Sequence, residues 1–148
     1  MSTNYVCYIP TDPFFLPGES SQAMAIQLLA TTTGSKIRRE VWSQVQYVSA
    51  MGNHERVICP NCQMELTGEQ WQEMMNIDWD DNVSGFRMNK HPAPCCAMPL
   101  AVNELIYEWR EGFAKFCLSA EYFETWQEIV PRLEELLNTK LIVILQHI

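Results

Sequence analysis

Four of the six cysteines in this 148-residue chain fall in two tight groups. The stretch VICPNCQ, Val57–Gln63, sets Cys59 and Cys62 in a Cys-x-x-Cys pattern, and HPAPCCAM, His91–Met98, sets Cys95 beside Cys96. A Cys-x-x-Cys turn presents two sulfurs to one ion, and Zn2+ favours a tetrahedron of thiolates or imidazoles. Pro60, directly after the first cysteine, suits a tight knuckle turn, while Pro92 and Pro94 stiffen the approach to the second pair. Neighbouring cysteines bridge to each other only under strain, because their Cβ vectors diverge. The expected centre is one structural Zn2+ on Cys59, Cys62, Cys95 and Cys96, with His91 as an alternative fourth ligand and His54 as a weaker one. Four thiolates would leave no open position on the metal, so such a site serves folding and not turnover. Cys7 and Cys117 sit among apolar neighbours and read as buried core thiols.

Rival chemistries are poorly supplied. The CPNC tetrad resembles the redox motif of glutaredoxins, and that resemblance implies thiol chemistry at Cys59 and Cys62 as the alternative function. The residues QMEL and Thr67 delay the following helix, however, which denies Cys59 the helix N-terminus that lowers a catalytic thiol's pKa. The three histidines form no triad and no H-E-x-x-H pattern. DWDD, Asp78–Asp81, lacks the spacing and glycine of a calcium loop and reads as a solvated loop. No glycine-rich phosphate loop is present, and the chain reads as a non-enzyme.

The elements that must position the cysteines alternate in type. NYVCYIP and EVWSQVQYVSA have strand periodicity, and RVIC reads as a further strand delivering the chain to Cys59. A helix is expected from Ser20 or Ser21 to about Thr31, with Met24, Ala25, Leu28 and Leu29 on one face and Gly34 at its exit. Thr67 and Gln70 have capping-box form ahead of Trp71, Met74 and Met75. GFAKFCLSA reads as a strand with Phe116, Leu118 and Ala120 on one face and Phe113 and Cys117 on the other. ETWQEIVPRLEELLN is expected to be helical, with Thr125 and Glu128 as its capping box and Pro131 either kinking it or marking a break in it. KLIVILQHI closes the chain as an apolar, central strand. No internal repeat is read. The expected fold is a single α+β domain over 1–148, with a zinc-ribbon-like cysteine insertion over 57–98.

The second half, from about Ile58 to Ile148, resembles a group of small bacterial proteins that combine a CPxC knuckle, a later CC pair and a W-x-x-GFAKF-like segment. That resemblance implies the same architecture and cysteine site, and it brings no established activity. Glycine follows both cysteine pairs in the group; Gln63 and Ala97 stand there in this chain.

Charge narrows the class of partner. The net charge is −8, and residues 61–148 carry all of the excess. Such a field disfavours nucleic acid and anionic membrane and favours basic proteins. Neither a signal peptide nor a membrane-length apolar run is read, so a reducing, cytoplasmic setting is expected. The functional expectation is a small acidic zinc-stabilised protein that binds a basic partner, in the manner of an immunity-type or inhibitor protein. Trp71, Trp79, Trp109 and Tyr122 are the aromatic candidates for contact, alongside the acidic Asp78, Asp80 and Asp81.

Overall fold

The computed structural model describes residues 3–148. Four long strands carry the sheet: β1 (Asn4–Pro10), β2 (Arg38–Val48), β9 (Gly112–Glu121) and β10 (Leu141–His147). Two-residue strands fill the long excursion between β2 and β9: β3 (Val57–Ile58), β4 (Trp79–Asp80), β5 (Gly85–Phe86), β6 (His91–Pro92), β7 (Pro99–Leu100) and β8 (Ile106–Tyr107). The helices are α1 (Glu19–Thr33), α2 (Gly68–Asp78) and α3 (Val130–Leu137), with one 3-10 turn at Val102–Glu104. The result is a single small α+β domain.

The main sheet runs β10-β1-β9-β2-β5-β4, and every pairing within it is antiparallel. The units β1-α1-β2 and β9-α3-β10 each leave room for a strand of the other, which is the split β-α-β pattern of ferredoxin-like topology. Helices α1 and α3 cover one face, where Val6, Tyr8, Leu29, Phe116, Leu118, Leu133 and Leu137 form a buried core. A second cluster on the other face includes Cys7, Ile9, Ala114, Cys117 and Ile144. Both isolated thiols are buried there; Phe116 and Leu118 of β9 face the helices and Cys117 the other side, as expected. Phe113, however, does not share the Cys117 cluster and packs with the apolar residues of the excursion, while Ala114 takes its place beside Cys117.

Several expectations are corrected. β10 is an edge strand: β1 is its partner strand, and among the described residues only an isolated bridge between Met51 and His147 lies on its other side. Its apolar run tolerates that place because other groups occupy much of its free edge. The Asn53 amide donates to Leu145 O, the Gly52 N–H donates to His147 O, and the Leu141 N–H donates to a Glu134 carboxylate oxygen. Blunting an edge in this way removes a template for aggregation. Of the two expectations for Pro131 the break holds and the kink does not: it lies at the start of α3, where its missing N–H costs nothing. Residues 124–129 form turns, and Thr125 does not cap the helix. α1 begins after Gly18 without a side-chain cap, its entry fastened by Gln22 Nε2–H to Pro17 O; Met24 points to solvent. Gly34 closes it at φ 67°, as expected.

The cysteine-bearing excursion is woven into the main sheet and is not a separate knob. β5 pairs with β2 at Val45–Phe86, beside an irregular stretch of β2 where the register against β9 slips. Gly85 permits that approach, since a Cβ there would lie 2.3 Å from Gln44 Cβ. DWDD is therefore not a loop: Asp78 ends α2, Trp79–Asp80 pair with Gly85–Phe86, and only Asp81–Ser84 turn.

Candidate metal centre

Two hairpins, stapled at their bases, carry the four cysteines. The first runs from β3 and is closed by Cys59 N–H to Met64 O at 2.9 Å and Gln63 N–H to Cys59 O at 3.0 Å. The second runs from β6 to β7 and is closed by Ala93 N–H to Met98 O at 2.9 Å and Ala97 N–H to Ala93 O at 2.7 Å. Gln63 and Ala97 both sit at φ 64°, in the left-handed region that glycine occupies without strain. That geometry gives the physical reason for glycine after a cysteine pair.

All four sulfurs lie within 4.8 Å of one another. Cys59 Sγ is 3.7 Å from Cys96 Sγ, and Cys62 Sγ is 3.5 Å from Cys95 Sγ. A tetrahedron with metal–sulfur bonds of ~2.3 Å has edges of about 3.8 Å, so the cluster has the dimensions of a four-thiolate centre. Cys59 is fully buried, and the other three are half-buried. These residues could hold a metal ion.

As free thiols the four are unequal. Donation from the Asn61 amide, 3.4 Å from Cys96 Sγ, and from the Met98 backbone N–H pulls the Cys96 thiol down to about 7. Desolvation, followed by hydrogen bonding with Cys62, pushes Cys95 up to about 12. Four thiolates this close cannot coexist without a cation, so metal binding would release protons.

The histidines are engaged elsewhere. His91 Nε2 lies 2.9 Å from Asp78 Oδ1, and Asp78 also accepts from the backbone N–H groups of Met88 and Asn89. The Asp78 side chain is fully buried, so these three bonds offset its desolvation and tie α2 to the second hairpin. His91 and Asp78 therefore hold the cysteine scaffold in place, and neither is a fourth ligand nor a solvated surface group. His54 Nδ1 lies 2.6 Å from Glu111 Oε1, and its ring stacks on Trp71 at 5.0 Å.

Glu111 is the residue that sequence reasoning missed. Its buried carboxylate also accepts from Ala50 N–H at 2.7 Å and Ser49 Oγ–H at 3.1 Å. It thereby clamps the exit of the excursion to its entry, where Arg56 also pairs with Glu108 and β3 pairs with β8. The available signal was a lone acid against the apolar GFAKF strand. α2 carries the predicted capping box, with Thr67 and Gln70 bonded reciprocally.

Among the aromatic candidates, Trp71 packs against Tyr47 and Tyr107, and Trp79 stacks edge-on against Phe86. Trp109 and Tyr122 are exposed, at 46% and 53%. Among the described residues, no helix is long and apolar enough to cross a membrane. Comparison with protein-family models, with curated proteins and with solved structures finds nothing that matches this chain.

Proposed function

We propose that Cys59, Cys62, Cys95 and Cys96 hold one structural Zn2+, and that the chain acts by binding a protein with a basic surface. The immunity-type or inhibitor class fits this reading. The soft, all-sulfur donor set is what favours zinc over magnesium or calcium, which take oxygen ligands.

The partner's charge rests on one observation. The solvent face of α2 carries Glu69 and Glu73 one turn apart, and among the described residues neither has a basic side chain within ion-pair reach. Like charges at this spacing disfavour the helix slightly, so an isolated α2 gains nothing from them. Beside them Ile77 is exposed at 51%, which supplies apolar contact within an acidic field. Asp78 is removed from the contact surface by its burial, and Asp80 is partly engaged by Arg87 at 3.3 Å.

The thiol-redox alternative has less support. Cys59 has no solvent-exposed surface and lies well before the N-terminus of α2.

Association with partners captured on the zinc-loaded protein, followed kinetically against salt, tests the reading. Charge reversal at Glu69 and Glu73 is expected to slow association at low salt, by about tenfold or more, without altering the fold. Association indifferent both to salt and to that reversal would end the proposal of a basic partner.

A further inference from the structure

The two cysteine hairpins are copies of one unit, although their sequences share little. Position for position, β3 corresponds to β6, Cys59 to Ala93, Pro60 to Pro94, Asn61 to Cys95 and Cys62 to Cys96. The left-handed Gln63 corresponds to Ala97, and Met64 to Met98. The closing hydrogen bonds match pair for pair. The match continues beyond the turns: Ile58 bridges Glu65 as Pro92 pairs with Pro99, and Leu66 and Leu100 are both buried. Each unit then enters a helical turn, where Gln70 accepts from Thr67 N–H and Glu104 accepts from Ala101 N–H. The expectation of no internal repeat is thus overturned. Only Pro60, Cys62, Met64 and Leu66 keep their residue type across the two copies, too few for a sequence signal.

The correspondence makes the ligand set asymmetric. The first hairpin supplies sulfur from its first and fourth positions. The second has Ala93 at its first position, buried like Cys59, and supplies its extra sulfur from the third, Cys95. In the first hairpin that third position is Asn61, whose amide reaches across to Cys96 Sγ at 3.4 Å. Cys95 makes the mirrored approach, to Cys62 Sγ at 3.5 Å. It therefore reaches the cluster from the place of an outer supporting group, and it is half-exposed where Cys59 is sealed.

We propose that Cys95 is the exchangeable ligand of this centre, and that the coordination position it fills is open to an incoming thiolate. This inference rests on the metal-centre reading. In the exchange, the incoming sulfur forms a bond to the metal as the metal–Cys95 bond breaks. The Cys95 thiolate takes up the proton lost by the incoming thiol, and no electron is transferred. Cys59, Cys62 and Cys96 keep the ion bound throughout, so the centre is a point of thiol exchange as well as a clamp.

Co2+ titration of the reduced full chain tests this, because charge-transfer and d–d bands report the number of thiolates. The variants are Cys95→Asn, which places Asn61's residue type at the matching position, Cys96→Asn, and the double change Ala93→Cys with Cys95→Asn. The wild type is expected to show four thiolates per ion. Cys95→Asn should weaken Co2+ binding by about 10- to 100-fold, the scale of a lost supporting group, and leave a three-thiolate spectrum. A small monothiol added to that complex should restore the fourth thiolate. Cys96→Asn should weaken binding at least ~10-fold more. The double variant should recover both the wild-type spectrum and affinity.

Equal losses for Cys95→Asn and Cys96→Asn, or no recovery in the double variant or with the monothiol, would overturn the inference and leave the clamp intact. A wild type that binds neither Co2+ nor Zn2+ would instead overturn the metal-centre reading itself. Circular dichroism of each variant separates ligand loss from unfolding.

Discussion

The helix-backed sheet and the cysteine-bearing excursion solve the same stability problem with different means. On the helix-backed side, long strands and two helices bury Val6, Tyr8, Leu29, Phe116, Leu118, Leu133 and Leu137 almost completely. Each such side chain contributes about 1.5–3 kcal/mol, and no single one is indispensable. The excursion has six strands of two residues each, too short to hold by pairing alone. Its own apolar cluster, built around Met74, Leu66, Leu100 and Phe113, is complemented by point fasteners: Asp78 to His91, Glu111 to His54, and the four sulfurs. Distributed burial degrades gradually under mutation. Point fasteners fail one at a time and abruptly, and a metal held by the four sulfurs would be the strongest of them.

The largest test of this contrast is metal removal. Structural zinc in small finger peptides contributes about 10–16 kcal/mol near neutral pH, coupled directly to folding. Chelation is expected to abolish amide-exchange protection across β3, β6, β7 and β8 while β1, β9 and β10 keep theirs. Equal loss of protection in both regions would show that the two are one cooperative unit, and the contrast would fall.

A paired substitution sharpens it at intermediate scale. Leu133→Ala, in the apolar core of α3, should lower global stability by about 2–5 kcal/mol and leave metal affinity unchanged. Asp78→Ala leaves the N–H groups of Met88 and Asn89 and one His91 nitrogen without their acceptor. It should cost about 3 kcal/mol and also weaken metal binding, because the second hairpin loses its anchor to α2. Denaturant melts read with and without Zn2+ separate the two. A Leu133→Ala loss that excess zinc fully restores would run against the division.

The smallest effect is a gain. Ala97→Gly relieves a left-handed alanine and should stabilise the excursion by about 0.5–1 kcal/mol. Ala97 is cleaner for this purpose than Gln63, whose side-chain amide donates to Pro60 O. A destabilised Ala97→Gly would mean that chain entropy outweighs the local strain. The midpoint of thermal unfolding in the zinc-loaded state decides it.

Much of this arrangement was legible in the chain itself. β1, β9 and the Thr67–Gln70 capping box follow from patterns within a few residues, and local periodicity or reciprocal hydrogen bonding is enough to fix them. The four cysteines were found because sulfur is rare and its spacing is chemically restrictive. Two errors came from a single cause. An apolar KLIVILQHI looks central, and ETWQEIVPRLEELLN looks helical from Thr125 onward, because neither pattern records what lies beside it. The first is an edge protected by Asn53, Gly52 and Glu134, and the second is broken where Pro131 has no N–H to give.

By itself, then, the sequence determined element types, the thiol inventory and an acidic second half, since these depend on residues close in the chain or on simple sums of charge. Tertiary structure alone decided that His91 and His54 serve Asp78 and Glu111 instead of the cysteines. It alone decided that Ala93 stands where Cys59 stands in the other hairpin. Those outcomes depend on backbone bonds and distances between residues far apart in sequence. Neither residue type nor spacing encodes them until the chain has closed.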